Sequence, residues 1–447
     1  MPPVKTLAEL RRALDPKPLR LDQLDQYFVE TGDARDAKVS RRHEIAERLA
    51  AGTSKKVLLA GHAGTGKSTE LVKLRAEHKD RFTFVELSIT TDGDPGKVNT
   101  EGLLVLIAEA VLRKTHDLRI NLDEAHLEKI YGWFEQTFVS RETSSSPSGE
   151  LGGGIDLQDS FLGKLLGLTA TLKVGIQTGS SVVSRKVREF EHRLPELTAR
   201  CGELLKEAEL ALSAATGTRL VLIVEDLDKV DVEPAGRLFI ENPAPLAALP
   251  VRAVFTAPIF LWCNPRAGVL ESHFDKVTMP MIKVANPNGK RYLPGWETVR
   301  DILAHRVDLS ACIEDKALDL AIAKTAGVLR HLFSVLNLAA LAAEQDFKRG
   351  YREQERINKS DVRYGLDRLK IELIQKIGVM GLPDEFKDIE TPDLYHRLEE
   401  LKAPKLADSD RINLLLMQAQ ALLEYNGKGW HRVHPLVLEH LEESRSS

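Results

Sequence analysis

The 447-residue sequence has few cysteines, few aromatic residues and no long apolar run. Cys201, Cys263 and Cys312 are far apart in the chain and form no Cys-x-x-Cys pair, so they predict neither a disulfide framework nor a zinc site. No run of about 18 apolar residues occurs, and the N-terminal residues lack the apolar core of a signal peptide. We therefore expect buried free thiols in a protein of the reducing cytoplasm.

A strong excess of one charge is also missing. The formal net charge is -4, so no global positive field attracts the molecule to nucleic acid or to an anionic membrane. Apolar residues make up 43% of the chain and charged residues 29%, which is the balance of a globular protein with a sizeable core. The length predicts about two to four domains.

A phosphate-binding loop is the most specific motif. The apolar run at residues 57–60 predicts a buried strand, and residues 61–68 then read G-H-A-G-T-G-K-S before a helix-capable stretch. This is GxxxxGK(S/T) in its strand–loop–helix context. The glycines let backbone N–H groups point at phosphate oxygens, and the helix N-terminus adds partial positive charge. The residues predicted to bind the nucleotide are Gly61, His62, Ala63, Gly64, Thr65, Gly66, Lys67, Ser68 and Thr69.

Lys67 and Ser68 have predicted chemical roles within this loop. Lys67 is expected to reach the β- and γ-phosphates and to act in catalysis, and the Ser68 hydroxyl is expected to ligate Mg²⁺. The motif recognises phosphates rather than a base. We favour ATP because no guanine-specific NKxD sequence occurs in a suitable place.

A second strand, at residues 219–224, ends in an acidic cluster. Carboxylates at the carboxyl end of a parallel strand face the crevice where such sheets bind ligands. We assign Glu225 to Mg²⁺ and Asp226 to activation of the attacking water, with Asp228 as the competing base. The alternative is that these acids cap the following helix.

A third strand is predicted at residues 251–255, and Thr256 follows it. In a sheet of this kind its end would lie beside the γ-phosphate, so Thr256 is a candidate sensor. A structural role for the same threonine is an equal alternative.

The segment between the loop and the acidic strand is long enough to contain an insertion, which we place at about residues 140–215. Residues 140–154 are low in complexity and predict a mobile loop. Apolar and polar residues alternate from Leu168 to Ile176, which predicts a half-buried strand or hairpin arm. Residues 182–215 have a helical pattern. Together these features predict an appendage rather than core.

Several segments resemble the AAA+ and STAND class of ATPases, and within it the Orc/Cdc6-like members. They are the helix before the loop (40–49), the acidic strand end (225–229) and two candidate lid helices (296–306 and 327–336). The resemblance covers most of residues 25–375.

The resemblance implies that Arg330 is a catalytic lid arginine that contacts the γ-phosphate, although a plain helix start at Gly327 is the alternative. It also implies that adenine packs between residues 27–35 and the lid. Arg306 could be an arginine finger between subunits, but we favour a lid surface charge.

The C-terminal pattern of helices, a short strand, an Asn-Gly turn, another strand and a last helix resembles a winged helix. Such modules often bind DNA. However, residues 384–447 contain thirteen Asp and Glu against eight Lys and Arg, and a duplex-binding module needs a basic face. His431 and His434 are better explained as residues of a strand than as metal ligands.

These observations predict an α/β fold class, with a P-loop NTPase core built on a parallel sheet, an α-helical lid and a small winged-helix domain. The expected boundaries are 1–48 for the N-terminal arm and adenine-covering helix, 49–290 for the core, 291–378 for the lid and 379–447 for the last domain. The resemblance implies a slow or partner-stimulated ATPase that uses ATP and Mg²⁺ as a switch. Protein partners or a homo-oligomer, in bacterial signalling or anti-phage defence, are the expected context. The alternatives are a DNA-associated ATPase of the initiator or transposition-helper type and a scaffold that binds ATP without efficient hydrolysis, which Glu225 in place of the usual Asp favours.

Overall fold

The computed structural model describes residues 2–138, 160–178, 191–378, 386–402, 405–406, 408–425 and 430–446. The predicted mobile loop at 140–154 and the predicted Asn-Gly turn at 426–427 lie outside these residues.

Five parallel strands form the central sheet, in the spatial order β2-β3-β4-β1-β5. The strands are β1 (Lys56–Ala60), β2 (Phe82–Ser88), β3 (Arg219–Glu225), β4 (Arg252–Ala257) and β5 (Asp275–Thr278). β1 and β4 are buried throughout, as parallel strands covered on both faces require. The strand predictions for β1, β3 and β4 are confirmed, and the carboxyl ends of the three strands open at one edge of the sheet.

Helices cover the sheet, and three of the helices lie in the N-terminal segment before β1. They are α1 (Leu7–Ala13), α2 (Leu24–Tyr27), α3 (Arg41–Ala50), α4 (Lys67–His78), α5 (Ile89–Asp92), α6 (Thr100–Asp117), α7 (Glu124–Phe138), α8 (Phe161–Thr178), α9 (Leu194–Thr216), α10 (Val232–Gly236), α11 (Ala244–Ala247) and α12 (Gly268–His273). A π-helical turn at Arg237–Glu241 continues α10, and short 3₁₀ turns lie at Leu21–Gln23, Asp33–Arg35, Glu191–Arg193, Leu227–Lys229 and Ile259–Cys263.

Residues 293–378, within the predicted lid (291–378), form a helical region, which is called the lid below. Its helices are α13 (Leu293–Ala304), α14 (Leu309–Cys312), α15 (Asp315–Lys324), α16 (Leu329–Lys348) and α17 (Lys359–Gly378). α16 packs against α17 and against α1 from the N-terminus. The fold is therefore an α/β P-loop NTPase core followed by a helical region, as the sequence predicts.

The C-terminal module, meaning the described residues from 386 to 446, combines helices with a small antiparallel sheet. Its elements are α18 (Thr391–Glu400), β6 (Lys405–Leu406), α19 (Arg411–Gln418), β7 (Leu422–Glu424), β8 (Trp430–Val433) and α20 (Pro435–Ser446). The spatial order is β6-β8-β7. The predicted strand pair is present, and assignment of the module as a winged helix stays a prediction.

The predicted strand near Leu168 is wrong, because residues 161–178 form α8. Its buried residues, Leu165, Thr169, Leu172 and Gly175, recur every three or four positions, which is the helical period. The Thr169 hydroxyl donates to the Leu165 carbonyl oxygen at 2.9 Å, so the polar residue is accommodated within the helix. The short apolar–polar alternation therefore predicted the two-residue period of a strand, whereas the segment has the period of a helix.

The prediction of an appendage is wrong for α9. This helix packs against α6 and β3, and Leu197, Cys201, Leu204 and Leu205 are buried in the main hydrophobic core. The core therefore contains a helix whose sequence lies within the predicted insertion.

All three cysteines are buried and free, as predicted. Among the residues that the structure describes, no helix combines the length and apolarity needed to cross a bilayer.

Candidate nucleotide-binding site

The loop between β1 and α4 has the backbone that a phosphate cradle needs. Gly64 and Gly66 have φ values of 86° and 95°, a left-handed region that residues with side chains rarely adopt. A Cβ on Gly64 would also lie 2.7 Å from the Cβ of Arg330 on the lid. Glycine at position 64 therefore allows both the turn of the loop and the close approach of the lid.

The Lys67 side chain is buried and folds back along the loop. Its ammonium donates to the carbonyl oxygens of Gly61 and His62, at 2.7 and 2.9 Å. It also forms an ion pair with Asp228, with 2.8 Å between Nζ and Oδ2. The lysine predicted to bind phosphate is thus held by one of the predicted acids.

Ser68 lies in the first turn of α4, and Glu225 ends β3. Burial raises the pKa of Glu225, although the nearby Ser68 hydroxyl and the Arg75 guanidinium oppose the shift. The distance between Arg75 Nη1 and Glu225 Oε1 is 3.9 Å. A hydroxyl and a carboxylate oxygen side by side fit the oxygen ligands that Mg²⁺ prefers.

Asp226 is oriented from the end of β2. Its Oδ2 accepts hydrogen bonds from the hydroxyls of Ser88 and Thr90, each at 2.5 Å, and its Oδ1 lies 2.5 Å from Lys229 Nζ. Burial alone would raise the pKa of Asp226, but these donors lower it. The residue has a φ of 70°, so the acidic strand end turns sharply here.

Thr256 lies apart from these groups. It is buried near the end of β4, and its hydroxyl is 3.4 Å from the Val224 carbonyl oxygen. It is not among the residues that line the cleft above the loop. This placement fits the structural alternative better than the sensor.

Arg330 is the second residue of α16 and lines the cleft above the phosphate loop. Its side chain is exposed, and it forms no hydrogen bond or ion pair with the part of the chain that the structure describes. Gly327, with a φ of 78°, precedes the helix, which begins at Leu329. The lid therefore places next to the loop a cation that has no ion-pair partner among the described residues.

The prediction that Arg306 is a surface charge is wrong. Its guanidinium is buried, donates to the Ile302 carbonyl oxygen at 2.6 Å, and lies over the rings of Tyr27 and Phe333. Burial lowers the pKa of Arg306 to about 10. The aromatic partners lie far away in sequence, so the local pattern around residue 306 carries no sign of this burial.

Arg35 is a site residue that the sequence analysis did not single out. It is buried, and its guanidinium donates to Thr31 Oγ1 at 2.9 Å and to the Thr65 carbonyl oxygen of the phosphate loop at 2.6 Å. A third hydrogen bond joins it to the Pro280 carbonyl oxygen. Burial lowers the pKa of Arg35 to about 10, which leaves it charged at neutral pH. The N-terminal segment thus supports the outer side of the loop.

The cleft at this site encloses about 990 Å³, part of it open to solvent. Its walls come from the N-terminal segment, the phosphate loop, the acidic strand end and the lid. The lining residues used here are Tyr27, Phe28, Val29, Arg35, Gly64, Lys67, Ser68, Asp226, Asp228, Arg306 and Arg330. Its lining combines the aromatic side chains of Tyr27 and Phe28 with the charged side chains of Lys67, Asp228 and Arg330.

No protein-family model and no curated protein matches the sequence. Solved structures with similar folds include the ORC1 protein of Aeropyrum pernix in complex with DNA, at 15% identity and a TM-score of 0.39, covering 97% of this chain and 96% of that one. The ORC2 protein of the same organism, in ADPNP–ADP complexes, is 13% identical with a TM-score of 0.39, and the match covers 98% of this chain and 99% of that one. A Walker-type ATPase of Pyrococcus abyssi is 12% identical with a TM-score of 0.39, and the match covers 96% of this chain and 99% of that one.

Proposed function

We propose that this chain is an ATP-binding and ATP-hydrolysing molecular switch of the AAA+/STAND type, in which nucleotide state controls the position of the lid. One observation carries the proposal. Lys67 of the phosphate loop, the acids after β3 and Arg330 of the lid all line a single cleft.

Phosphate recognition rests on the loop and on Lys67. The left-handed glycines turn the backbone N–H groups toward the cleft, and the N-terminus of α4 adds its partial charge. When a triphosphate enters, the Lys67 ammonium exchanges Asp228 for phosphate oxygens. The ion pair with Asp228 holds the Lys67 ammonium close to the position where phosphate would bind.

Magnesium is held by Ser68 and Glu225 in this proposal. The Ser68 hydroxyl is near enough to the Glu225 carboxyl to influence its pKa, and the two groups would supply oxygen ligands of the kind that Mg²⁺ prefers. Bound Mg²⁺ neutralises charge on the β- and γ-phosphate oxygens.

Asp226 is our choice for the residue that orients the attacking water. In hydrolysis the water oxygen bonds to the γ-phosphorus while the bond from that phosphorus to the bridging oxygen breaks, which yields ADP and phosphate. Ser88 and Thr90 fix the Asp226 carboxylate, whereas Asp228 is engaged with Lys67. These contacts favour Asp226 over Asp228.

Arg330 couples this chemistry to the lid. Its guanidinium has no ion-pair partner in the described part of the chain and is adjacent to the phosphate loop, so a γ-phosphate would supply a partner. Loss of the γ-phosphate removes that partner, and α16 is then free to move. Adenine packs between residues 27–35 and the lid in this proposal. Protein partners or a second copy of the chain would bind according to the position of the lid.

The test is ATP binding and turnover by the wild type and by Lys67→Ala, with and without double-stranded DNA. Lys79→Ala, an exposed lysine just after α4, is the matched control. We expect Lys67→Ala to abolish turnover and the control to leave it unchanged, with no effect of DNA. DNA-stimulated turnover would instead support the DNA-associated alternative, and tight binding without turnover would support the scaffold alternative. Lack of binding by the wild type would overturn the proposal.

A further inference from the structure

The C-terminal module contacts the phosphate loop through two hydrogen bonds. The side-chain amide of Gln420 donates from Nε2 to the Ala63 carbonyl oxygen at 2.9 Å. The backbone N–H of Glu424, in β7, donates to His62 Nε2 at 3.1 Å. Two consecutive residues of the loop therefore accept hydrogen bonds from the C-terminal module. Gln420 and Ala63 are 357 positions apart in the sequence.

The same Gln420 amide also contacts the lid. Its Oε1 lies 3.1 Å from His331 Nε2, and His331 follows Arg330 at the start of α16. Burial lowers the pKa of His331 to about 4, so the imidazole is neutral at neutral pH and donates from Nε2 to the amide oxygen. A single side chain thus joins the phosphate loop to the helix that carries Arg330.

The backbone of Gln420 adopts a conformation that needs support from its surroundings. Its φ is 58°, in the left-handed region, and the residue is buried between α19 and β7. A residue other than glycine keeps this conformation only where neighbouring contacts fix it. Here the backbone places the amide between Ala63 and His331, and both ends of the amide are satisfied.

Further contacts stabilise the second hydrogen bond, which His62 accepts from Glu424. His62 is buried, and burial together with the nearby Lys67 lowers its pKa to about 3, so its neutral ring accepts a hydrogen bond. The Glu424 carbonyl oxygen in turn accepts from the Met281 N–H at 3.1 Å, in the chain that follows β5. The end of β7 is therefore fixed against the core beside the loop.

We propose that Gln420 is a positioning residue that couples nucleotide binding at the phosphate loop to docking of the C-terminal module. With the Ala63 carbonyl held by Gln420, the following N–H groups stay directed into the cleft. Nucleotide then binds a loop that is already ordered and loses less conformational freedom. Coupling of this kind is reciprocal, so bound nucleotide also holds the C-terminal module in place. This inference rests on nucleotide binding at the loop, as proposed above.

The test measures the affinity of the full chain for a fluorescent ATP analogue, together with hydrogen exchange of residues 411–424 with and without ATP. Gln420→Met keeps the length of the side chain but has neither donor nor acceptor amide. Gln418→Met is the matched control, because Gln418 is exposed and makes only a 3.3 Å hydrogen bond to Asp231. We expect Gln420→Met to weaken binding by roughly three- to tenfold, the loss of one hydrogen-bonded contact.

Hydrogen exchange separates positioning from plain stability. In the wild type, ATP should slow exchange in residues 411–424, and in Gln420→Met this nucleotide-dependent slowing should be lost. A purely structural role would speed exchange equally with and without ATP. If Gln420→Met fails to fold, Gln420→Asn decides, because asparagine tolerates left-handed backbone but is too short to reach both partners.

The outcomes distinguish the two proposals. Affinity and ATP-dependent exchange that are unchanged in the Gln420 variants, while the wild type binds ATP and Lys67→Ala does not, would overturn the coupling alone. Failure of the wild type to bind ATP would overturn the proposed function itself.

Discussion

The Lys67 ammonium lies 2.8 Å from a carboxylate oxygen of Asp228, and both side chains are almost fully buried. A carboxylate in this position competes with phosphate for the lysine. It also places a negative charge beside the position where a triphosphate would bind. Asp228 should therefore oppose nucleotide binding, whatever it contributes to hydrolysis.

Asp228→Asn should tighten the binding of ATP by roughly five- to tenfold, because the substitution removes this charge with little change in shape. The measurement is the dissociation constant of an ATP analogue by fluorescence titration. Asp231→Asn, at an exposed acid nearby, is the control and should bind as the wild type does. Weaker ATP binding by Asp228→Asn would mean that the ion pair helps to orient Lys67 for phosphate, and that this effect outweighs the competition between Asp228 and phosphate.

Asp226→Asn should lower turnover by roughly a hundredfold or more while ATP binding is retained, because an amide cannot accept a proton from water. Single-turnover hydrolysis with saturating ATP measures the chemical step directly. The comparison with Asp228→Asn decides between the two acids. A large loss in Asp228→Asn and a small one in Asp226→Asn would reverse our assignment.

The strands and the phosphate loop could be predicted from the sequence because their signals are local. The apolar runs of β1, β3 and β4 and the spacing of Gly61, Gly66 and Lys67 lie within short segments. The positions of Ser68 and Glu225 then follow, since parallel strands open at one edge. Their shared role in holding Mg²⁺ stays a prediction.

The other features depend on contacts between distant segments. Nothing near Arg35 in sequence indicates that it reaches the Thr65 carbonyl, and Arg306 is buried by Tyr27 and Phe333 from other helices. The contact between Gln420 and Ala63 joins opposite ends of the chain. In α8, local alternation predicted a strand, but packing against α6 and α7 favours a helix.

Magnesium-dependent binding should weaken as the pH falls. Burial raises the pKa of Glu225, so its protonated form, which cannot ligate a cation, accumulates at a higher pH than for an exposed glutamate. The contribution of Mg²⁺ to ATP affinity is therefore complete at high pH and is lost as the pH drops through this raised pKa. Titrations with and without Mg²⁺ from about pH 8 to about pH 5 measure it.

Glu225→Gln provides the baseline for that pH profile. ATP itself takes up a proton in the same range, but this affects both proteins equally. The variant should gain little affinity from Mg²⁺ at any pH. Parallel profiles for the wild type and Glu225→Gln would show that Glu225 does not hold the cation.

Arg330→Ala should reduce turnover by roughly ten- to a hundredfold while changing ATP affinity by less than about threefold. Arg330 lies next to the phosphate loop and forms no ion pair with the described residues, so its main effect is expected where charge develops on the γ-phosphate. Arg349→Ala, at the opposite end of the same helix and exposed, is the matched control.

Steady-state kinetics separate kcat from KM, and ADP binding gives a second comparison. Because ADP lacks the γ-phosphate, its affinity should be the same in Arg330→Ala and in the wild type. An equal loss of ADP and ATP affinity, with kcat unchanged, would mean that Arg330 supports the cleft without contacting the γ-phosphate.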